Sequence, residues 1–377
     1  MKKILFVNDE LTTGGVTTVL FHLLNALDKN EYDISLLVLD QRVMPGDIPK
    51  GVKVLDTSSF FDVCDLSFKT CKEMGFSYLL KKIRFYLLIK SGGMVNAIRG
   101  IRKKMDLEHY DIEIAYKEGI STLFILAGDA DKKVNFVHSD YKVKNYSANY
   151  MTTMTKAFKE VDVNVAVSRV AKESFEEIFG LDNVTVIHNL LDVEKIKRMS
   201  RDEYEYAGEG PHFLAVGRLH PQKSYDRLLN VAKRLNDEGY RYDLMILGNG
   251  EEAEKLFKQK EDLGLKNVNF AGNQRNPFKY MKNADCLVLS SLYEGLPTVV
   301  SEALLCGLPV LSTEVAGIDE LLKEEYGNVV ENSEEGLYRG LKSILDDPAQ
   351  LIEKREALKG YKDENEENLK KLKEVFS

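Results

Sequence analysis

Short apolar segments alternate with helical patterns from the first residues onward. Residues 2–8 form an apolar segment, a helical pattern covers residues 16–27, and residues 33–39 form a second apolar segment rich in Ile, Leu and Val. A strand, a helix and a strand in this order predict a βαβ unit, in which the two strands are parallel. The same alternation predicts further strands at residues 52–55, 111–116, 132–138, 162–167 and 184–187.

The pattern changes after Asp192. Residues 194–210 are charged and lead into a Gly-Glu-Gly-Pro sequence, which predicts a linker. A second series of strands and helices follows, so the chain predicts an α/β fold of two Rossmann-like, doubly wound domains with an interdomain cleft, where ligands bind at the carboxyl ends of the strands. The expected divisions are residues 1–193, the linker 194–210, residues 211–348, and residues 349–377 as polar helices that pack back on the first domain, with a solvated terminal helix as the alternative.

Composition and charge narrow the class of protein. Of 377 residues, 44% are hydrophobic and 30% charged, which is typical of a soluble globular protein, and the formal net charge of -8 argues against nucleic-acid binding. No apolar stretch approaches the roughly 20 residues that span a bilayer. The four cysteines lack a CxxC pair and are expected to be free thiols. We therefore expect a cytoplasmic protein, soluble or peripheral on a membrane, without a zinc site.

Two loops that follow predicted strands carry residues suited to binding phosphate. The sequence GRLHPQKS at 217–224 places Arg218 and Lys223 where two cations could neutralise the developing charge of a diphosphate leaving group. The sequence LGNGEE at 247–252 contains Gly248 and Gly250, which permit a close backbone approach to a ligand, although a plain tight turn is an equal alternative. This spacing does not fit the dinucleotide-binding fingerprint, and no P-loop sequence occurs.

The segment SLYEGLPTVVSEALLCGLPV contains two carboxylates in otherwise apolar surroundings. Glu294 lies in the turn before a predicted helix, and Glu302 lies inside that helix. The free amides of Gly295 to Val299 form a positive helix end suited to phosphate, so a carboxylate beside them is useful when it accepts hydrogen bonds from sugar or ribose hydroxyls. The alternatives are a helix-entry acid for Glu294 and a partly exposed helix residue for Glu302.

These motifs together resemble the donor-site signature of the GT-B glycosyltransferases of family GT4. The resemblance rests on the Glu-x7-Glu spacing of Glu294 and Glu302, with GLP after the first and CGLPV after the second. It extends through most of the chain, including GGV at 14–16, HNLLD at 188–192, VGRLHPQKSYDRLL, ILGNGEE and FAGNQRNPFKYMKNADCLVLSSLYEGLP. One departure is that the family often has Asn-Gly-(Val/Ile)-Asp where this chain has Asn189-Leu-Leu-Asp192.

The resemblance implies roles for the matching residues. Arg218 and Lys223 would bind the donor diphosphate, Glu302 the ribose hydroxyls, and Glu294 the hydroxyls of the transferred sugar. His138 matches the active-site histidine of the family, with a core or loop histidine as the alternative. The other implied donor-site positions are Gly14 and Gly15 beside phosphate and acceptor, Asn273 to Arg275 beside the base, and the backbone of Gly295, Leu296, Pro297 and Thr298.

The resemblance implies a retaining transferase that moves a hexose or N-acetylhexosamine from a nucleotide diphosphate sugar, most often UDP-linked, to a glycan or lipid-linked acceptor in surface polysaccharide synthesis, without a cofactor. A nucleotide-sugar epimerase or hydrolase, and a non-catalytic nucleotide-sugar-binding adaptor, are the alternatives. Asp129-Ala-Asp131 has the D-x-D form of metal-dependent GT-A enzymes. Its polar setting before Lys132 and Lys133 is more typical of a turn, so we expect a metal-independent enzyme.

Residues 74–105 form a basic segment that contains no Asp or Glu, although the whole chain is acidic. Its cations are interleaved with aromatic and aliphatic residues, a combination that suits the headgroup region of an anionic membrane leaflet. The alternative is a pair of domain helices whose basic face balances acidic surface elsewhere. The residues expected to face the membrane are Lys81, Lys82, Arg84, Arg102, Lys103 and Lys104.

Overall fold

A computed structural model describes residues 1–11, 14–41, 48–143, 147–208 and 210–377. The chain divides into two compact units. The first unit comprises residues Met1–Leu190 and Glu366–Ser377, and the second comprises Leu191–Asn365. The chain therefore passes from the first unit to the second and returns to the first with its last residues.

The first unit is a seven-stranded parallel sheet with helices on its faces. Its strands have the order β3-β2-β1-β4-β5-β6-β7. The strands are β1 (Lys2–Glu10), β2 (Tyr32–Asp40), β3 (Val52–Leu55), β4 (Ile112–Ala115), β5 (Lys132–Val137), β6 (Val163–Ala166) and β7 (Val184–Val186). The helices are α1 (Gly15–Ala26), α2 (Phe68–Met74), α3 (Phe76–Ser91), α4 (Met94–Met105), α5 (Ile120–Leu126), α6 (Ala148–Glu160) and α7 (Arg169–Phe179).

The second unit is a six-stranded parallel sheet with the order β10-β9-β8-β11-β12-β13. Its strands are β8 (His212–Val216), β9 (Asp243–Leu247), β10 (Val268–Gly272), β11 (Cys286–Leu289), β12 (Val310–Thr313) and β13 (Gly327–Val330). Its helices are α8 (Val193–Met199), α9 (Tyr225–Asp237), α10 (Ala253–Asp262), α11 (Phe278–Asn283), α12 (Thr298–Leu305), α13 (Ile318–Leu321), α14 (Glu334–Asp346) and α15 (Ala349–Leu358). Together with the first unit, this sheet confirms the predicted class of two doubly wound α/β domains.

The central strands are continuous apolar runs because helices cover both of their faces. Ile4, Leu5, Phe6 and Val7 of β1 are all fully buried, with two of them in each of two separate cores. The last helix, α16 (Asn365–Phe376), belongs to the core that contains Ile4 and Phe6. Its buried Phe376 ring lies edge-on to Tyr32, at a centroid distance of 5.9 Å.

Lysines of the sheet bind the end of α16. Lys2 Nζ donates a hydrogen bond to the Phe376 carbonyl (2.7 Å), and Lys132 Nζ donates to the Val375 carbonyl (3.0 Å). Cations at the carboxyl end of a helix satisfy its last carbonyl groups and interact favourably with the helix dipole. The terminal helix is therefore fixed to the first sheet by polar contacts as well as by apolar packing.

Two predicted boundaries are wrong. The predicted linker 194–210 begins inside α8, because Ile196 is fully buried in the second unit and Val193 and Met199 pack against the same core. Asp192 caps this helix by accepting a hydrogen bond from the Lys195 amide (3.0 Å). The predicted boundary at residue 348 also fails for α15, because Leu351 and Leu358 are buried in the cores of the second unit. Of the two helices within residues 349–377, α15 belongs to the second unit and α16 to the first.

The chain crosses between the units at two places that are hydrogen-bonded to one another. The Leu191 amide donates to Asn365 Oδ1 (2.9 Å), and Asn365 Nδ2 donates to the Leu191 carbonyl (2.7 Å).

Within the described part of the chain, no helix is long and apolar enough to cross a membrane.

Candidate active site

The carboxyl ends of β8 and β11 form the switch point of the second sheet. These strands are neighbours in the middle of the sheet, and the chain continues from them toward opposite edges. Loops that leave such a pair of strands diverge, which opens a crevice at the end of the sheet. The loop after β8 carries Arg218 and Lys223, and the loop after β11 carries Glu294. The topology therefore brings these three predicted residues to the same edge.

Lys223 and Glu294 form an ion pair at this edge. Lys223 Nζ lies 2.6 Å from Glu294 Oε1, and the two side chains are only 18% and 10% exposed. Ser291 Oγ donates to the same oxygen (2.6 Å), while Gln222 Nε2 donates to Oε2 (3.3 Å). Three donors from two loops therefore hold the carboxylate in one orientation. The sequence predicted both residues at the site, but it did not predict that they pair.

Helix α12 begins beside this ion pair. Gly295, Leu296 and Pro297 connect Glu294 to Thr298, the first residue of the helix. Its first turn contains no acidic residue, so the partial positive charge of the helix end is not neutralised from within the helix. The buried side chains Val300, Ala303 and Leu304 fix the direction of the helix.

Glu302 lies on the second turn of α12 and is 8% exposed. Its carboxylate makes no hydrogen bond or ion pair with any residue that the structure describes, and it is not the partly exposed helix residue of the alternative interpretation. Burial raises the pKa of Glu302 to about 7, although the positive charge of Lys195 on α8 acts in the opposite direction. The carboxylate is mostly buried but keeps some exposure, so a ligand hydroxyl group would be well placed to donate a hydrogen bond to it.

The structure gives Gly248 and Gly250 a role in packing the loop after β9 against the loop after β8. A Cβ on Gly248 would lie 1.9 Å from the Gly217 carbonyl oxygen, and a Cβ on Gly250 would lie 2.4 Å from the Leu219 carbonyl oxygen. Gly248 also has a φ of +144°, which side chains disfavour. Contact between these two loops therefore requires both glycines, whether or not a ligand also approaches them.

Three other predicted donor-site residues, Arg218, Asn273 and Arg275, are exposed. Their side chains make no hydrogen bond or ion pair within the described ranges. Asn273 and Arg275 follow β10, which ends at Gly272, a residue with a φ of +67°. Within the described residues, the structure therefore leaves Arg218 unengaged on the same loop as Lys223, and it leaves the turn after β10 accessible.

His138 lies at the carboxyl end of β5 in the first unit. Its ring packs against Tyr116 at a centroid distance of 4.8 Å, and its backbone amide donates to Glu118 Oε2 (3.2 Å). Gly14 and Gly15 lie at the start of α1, and a Cβ on Gly15 would meet no atom of the described residues within 4 Å. The internal packing of the first unit therefore does not require glycine at position 15.

Sequence reasoning missed a buried carboxylate at the same edge of the first sheet. Asp9, near the end of β1, accepts hydrogen bonds from the Ser121 amide (3.0 Å) and Ser121 Oγ (2.5 Å) at the start of α5. Burial raises the pKa of Asp9 to about 7, against the effect of Lys117 Nζ, which lies 4.0 Å from its Oδ2. Asp9 and Lys117 meet because β1 and β4 are adjacent in the sheet, which no local motif indicates.

The structure corrects the set of residues expected to face a membrane. Arg102 is 7% exposed and forms a bidentate ion pair with the buried Glu113, with nitrogen-to-oxygen distances of 2.5 and 3.0 Å. Lys81 pairs with Asp62 (3.3 Å), and Lys82 donates to the carbonyl of Val63 (2.9 Å). These three cations therefore make contacts within the first unit, with Arg102 joining α4 to β4 and the two lysines joining α3 to residues 62–64. Arg84, Lys103 and Lys104 are exposed, as expected.

The D-x-D alternative finds no support in the local geometry. The side chains of Asp129 and Asp131 are 81% and 71% exposed in a turn between α5 and β5, and both lie within 4 Å of a nitrogen of the half-exposed His109. Among the residues that the structure describes, no group of three or more His, Cys, Asp or Glu side chains is arranged to hold a metal ion.

Comparisons with known proteins identify the class and then the family. The profile described as "Glycosyl transferases group 1" matches residues 197–364, and "Glycosyltransferase Family 4" matches residues 13–195. The S. aureus TarM structure, a complex with fondaparinux, alpha-GlcNAc-glycerol and UDP, has a TM-score of 0.74 at 14% identity and covers all of both chains. Anabaena HepE, solved with UDP-glucose, has a TM-score of 0.69 at 16% identity and covers 99% of this chain and all of its own.

Sequence relatives are consistent with this class. An uncharacterised glycosyltransferase of Methanocaldococcus jannaschii is 30% identical over 61% of this chain and 60% of its own length. One from Haemophilus influenzae is 27% identical over 92% of both chains. A Campylobacter jejuni N-acetylgalactosamine-N,N'-diacetylbacillosaminyl-diphospho-undecaprenol 4-alpha-N-acetylgalactosaminyltransferase is 31% identical over 43% of this chain and 44% of its own length. The protein is thus a glycosyltransferase with the GT-B fold. Within that class, the chain belongs to the GT4-type enzymes.

Proposed function

We propose that this enzyme is a retaining glycosyltransferase that moves a hexose or N-acetylhexosamine from a UDP-sugar to a glycan or lipid-linked acceptor in surface polysaccharide synthesis. The observation that carries the proposal is the set of groups at the carboxyl ends of β8 and β11: a fixed carboxylate, two cations, a helix amino end and a buried carboxylate without a donor. The names of the C. jejuni relative and of the UDP complexes support the choice of acceptor and nucleotide.

Each of these groups would bind a particular part of a nucleotide diphosphate sugar. The amides at the start of α12 and the cation Arg218 bind the diphosphate. Lys223 has three N–H donors, one of which serves Glu294, so the other two are available to a phosphate oxygen. Glu294 accepts hydrogen bonds from sugar hydroxyls, and Glu302 accepts them from ribose hydroxyls. This arrangement concentrates positive charge where the leaving phosphate becomes more negative.

In the proposed reaction, an acceptor hydroxyl attacks the anomeric carbon on the face from which UDP departs. The new carbon–oxygen bond forms as the bond to the phosphate oxygen breaks, and the hydroxyl proton passes to that phosphate oxygen. His138 of the first unit remains the predicted active-site histidine. No metal is needed when Arg218, Lys223 and the helix end neutralise the diphosphate. With a lipid-linked acceptor, the enzyme would work as a peripheral protein on the cytoplasmic face of the membrane.

Glu294→Ala tests this proposal. We expect sugar transfer to fall by at least about 100-fold, because the substitution removes the group that orients the sugar, while UDP affinity changes only a few-fold. Products are measured by mass spectrometry with a panel of UDP-sugars and acceptors, and UDP affinity by calorimetry. Glu254→Ala, an exposed position on α10, is the matched control and should retain full transfer.

Several outcomes would contradict the proposal. Equal transfer by Glu294→Ala and the wild type would remove Glu294 from the site. Turnover of UDP-sugar to free sugar or an epimer without acceptor would indicate a hydrolase or epimerase, and UDP-sugar binding without any turnover would indicate an adaptor. Transfer abolished by EDTA and restored by manganese would overturn metal independence.

A further inference from the structure

The first unit exposes an apolar surface that its own fold does not explain. Thirteen large hydrophobic side chains are exposed in the described part of the chain, and seven of them lie between residues 68 and 87. These seven are Phe68, Met74, Phe76, Leu80, Ile83, Tyr86 and Leu87. Contiguous exposed apolar patches on soluble proteins mark sites of interaction, whereas isolated exposed apolar residues are normal.

Four of these residues form a continuous stripe along α3. Phe76, Leu80, Ile83 and Leu87 follow one another at intervals of four, three and four residues, which places them on one face of the helix. They are 74%, 50%, 40% and 56% exposed. We call these four residues the α3 stripe.

The opposite side of α3 is also apolar. Phe85 is 5% exposed and belongs to the core of the first unit, with Tyr78, Leu88 and Ile89 packed against it. The helix is therefore already seated in the protein by one face, and the α3 stripe is a second apolar face that points away from that core. A helix with two opposite apolar faces is fully accommodated only when both faces have an apolar environment. The stripe therefore indicates a partner that provides one.

The charges around the stripe are almost all positive. Residues 68–105 contain ten Lys and Arg and one acid, Glu73, in a chain whose net charge is -8. Three of the cations, Lys81, Lys82 and Arg102, are engaged inside the unit. The remaining seven are exposed: Lys69, Lys72, Arg84, Lys90, Arg99, Lys103 and Lys104.

This charge pattern distinguishes between two possible occupants. A second copy of the chain, packed stripe to stripe, would place two basic rims against one another, and Glu73 is the one acid within residues 68–105. A bilayer with anionic lipids provides acyl chains for the apolar face and negative headgroups for the basic rim. Apolar contact and charge therefore agree only for the bilayer.

We infer that the α3 stripe and its basic rim dock this enzyme on the surface of an anionic lipid bilayer, with α3 lying in the plane of the headgroups. A helix of 16 residues extends about 24 Å, so the contact is elongated rather than a single anchor point. The inference rests on the proposed function only in that a lipid-linked acceptor gives the docking a purpose. The surface itself is independent of which sugar is transferred.

The test is flotation of the full chain with vesicles, without nucleotide sugar. Vesicles of phosphatidylcholine and phosphatidylglycerol at 3:1 are compared with pure phosphatidylcholine, at low and high salt. We expect the wild type to float with the anionic vesicles at low salt. Phe76→Ser with Leu87→Ser should weaken the partition at least about tenfold, and Arg84→Gln with Lys90→Gln about 30-fold. Ile352→Ser, which removes an equally exposed apolar residue from α15, should float like the wild type.

All substituted positions are exposed, so unchanged circular dichroism and melting temperature should accompany each variant. The inference is refuted if the wild type fails to float with anionic vesicles at low salt, or if the Phe76 and Leu87 variant floats as well as the wild type. A wild-type dimer that this variant converts to a monomer, without flotation, would assign the stripe to a second copy instead. Failed flotation with Glu294-dependent transfer intact removes the surface alone, whereas flotation without transfer removes the proposed function alone.

Discussion

Replacing Glu302 with glutamine should stabilise the second unit and weaken its affinity for UDP. Glu302 is buried on α12 without a hydrogen-bond partner in the described residues, and burial raises its pKa from 4.5 to about 7. Glutamine has nearly the same shape and no charge. The substitution therefore removes the energetic cost of a buried carboxylate, and it replaces the charged acceptor proposed for the ribose hydroxyls with a single neutral amide oxygen.

The magnitude and its pH dependence follow from the two pKa values. The folded protein holds the Glu302 proton to a higher pH than the unfolded chain, so wild-type stability falls as the pH rises from about 4.5 to about 7. At about 1.4 kcal/mol for each pH unit, this amounts to about 3 kcal/mol above pH 7. Glu302→Gln should therefore exceed the wild type by up to about 3 kcal/mol at pH 8, and the advantage should vanish near pH 4.5.

Calorimetric melting at pH 5 and pH 8 measures this difference. For a unit of this size, about 3 kcal/mol corresponds to roughly 6–12 °C in the melting temperature. Titration with UDP at pH 8 should show about 10- to 100-fold weaker binding by the variant, because a hydrogen bond to a charged acceptor is lost. A melting difference that is the same at both pH values would refute the electrostatic argument, and unchanged UDP affinity would remove Glu302 from the donor site.

Two further predictions concern stability. Gly248→Ala should lower the free energy of unfolding by about 3 kcal/mol, because its Cβ would overlap the Gly217 carbonyl oxygen. The control Gly264→Ala, at a φ of +65° with no described atom within 4 Å, should lower it by only about 1 kcal/mol. Equal urea midpoints for the two variants would contradict the packing role of Gly248. Arg102→Met should lower the free energy of unfolding by about 3–5 kcal/mol, because it leaves Glu113 buried and unpaired. The double variant with Glu113→Met should recover most of this stability. A double variant as unstable as the single one would show that the loss arises elsewhere.

The strands and helices could be predicted from the sequence because their signals are local. The strand predicted at residues 33–39 is β2 (Tyr32–Asp40), and the helix predicted at 16–27 is α1 (Gly15–Ala26). A parallel sheet covered on both faces requires continuous apolar strands, and these are visible in one chain without any knowledge of their neighbours. The loops that follow the strands could be assigned to the carboxyl edges for the same reason.

The pairings within the site could not be predicted, because they depend on which strands are adjacent. Lys223 and Glu294 are 71 residues apart and meet only because β8 and β11 are neighbours. The sequence also does not show whether a long side chain on a helix points into the core or toward solvent. Arg102 and Lys103 are adjacent in a basic run, yet the first is 7% exposed inside the core and the second lies on the surface. Local composition could not predict which of the two is buried, because the partner that binds Arg102, Glu113, lies outside the basic run on β4.

The return of α16 to the first unit has a consequence for how the protein is made. The second unit is one contiguous segment, so all of its residues are present once Asn365 has been synthesised. Most of the first unit precedes the second in the chain, but Leu372 and Phe376 of its core follow only after about 175 intervening residues have been translated. The surface beside Tyr32 therefore stays uncovered on the ribosome until α16 has been synthesised, so the first unit is completed only after the whole of the second unit has been translated.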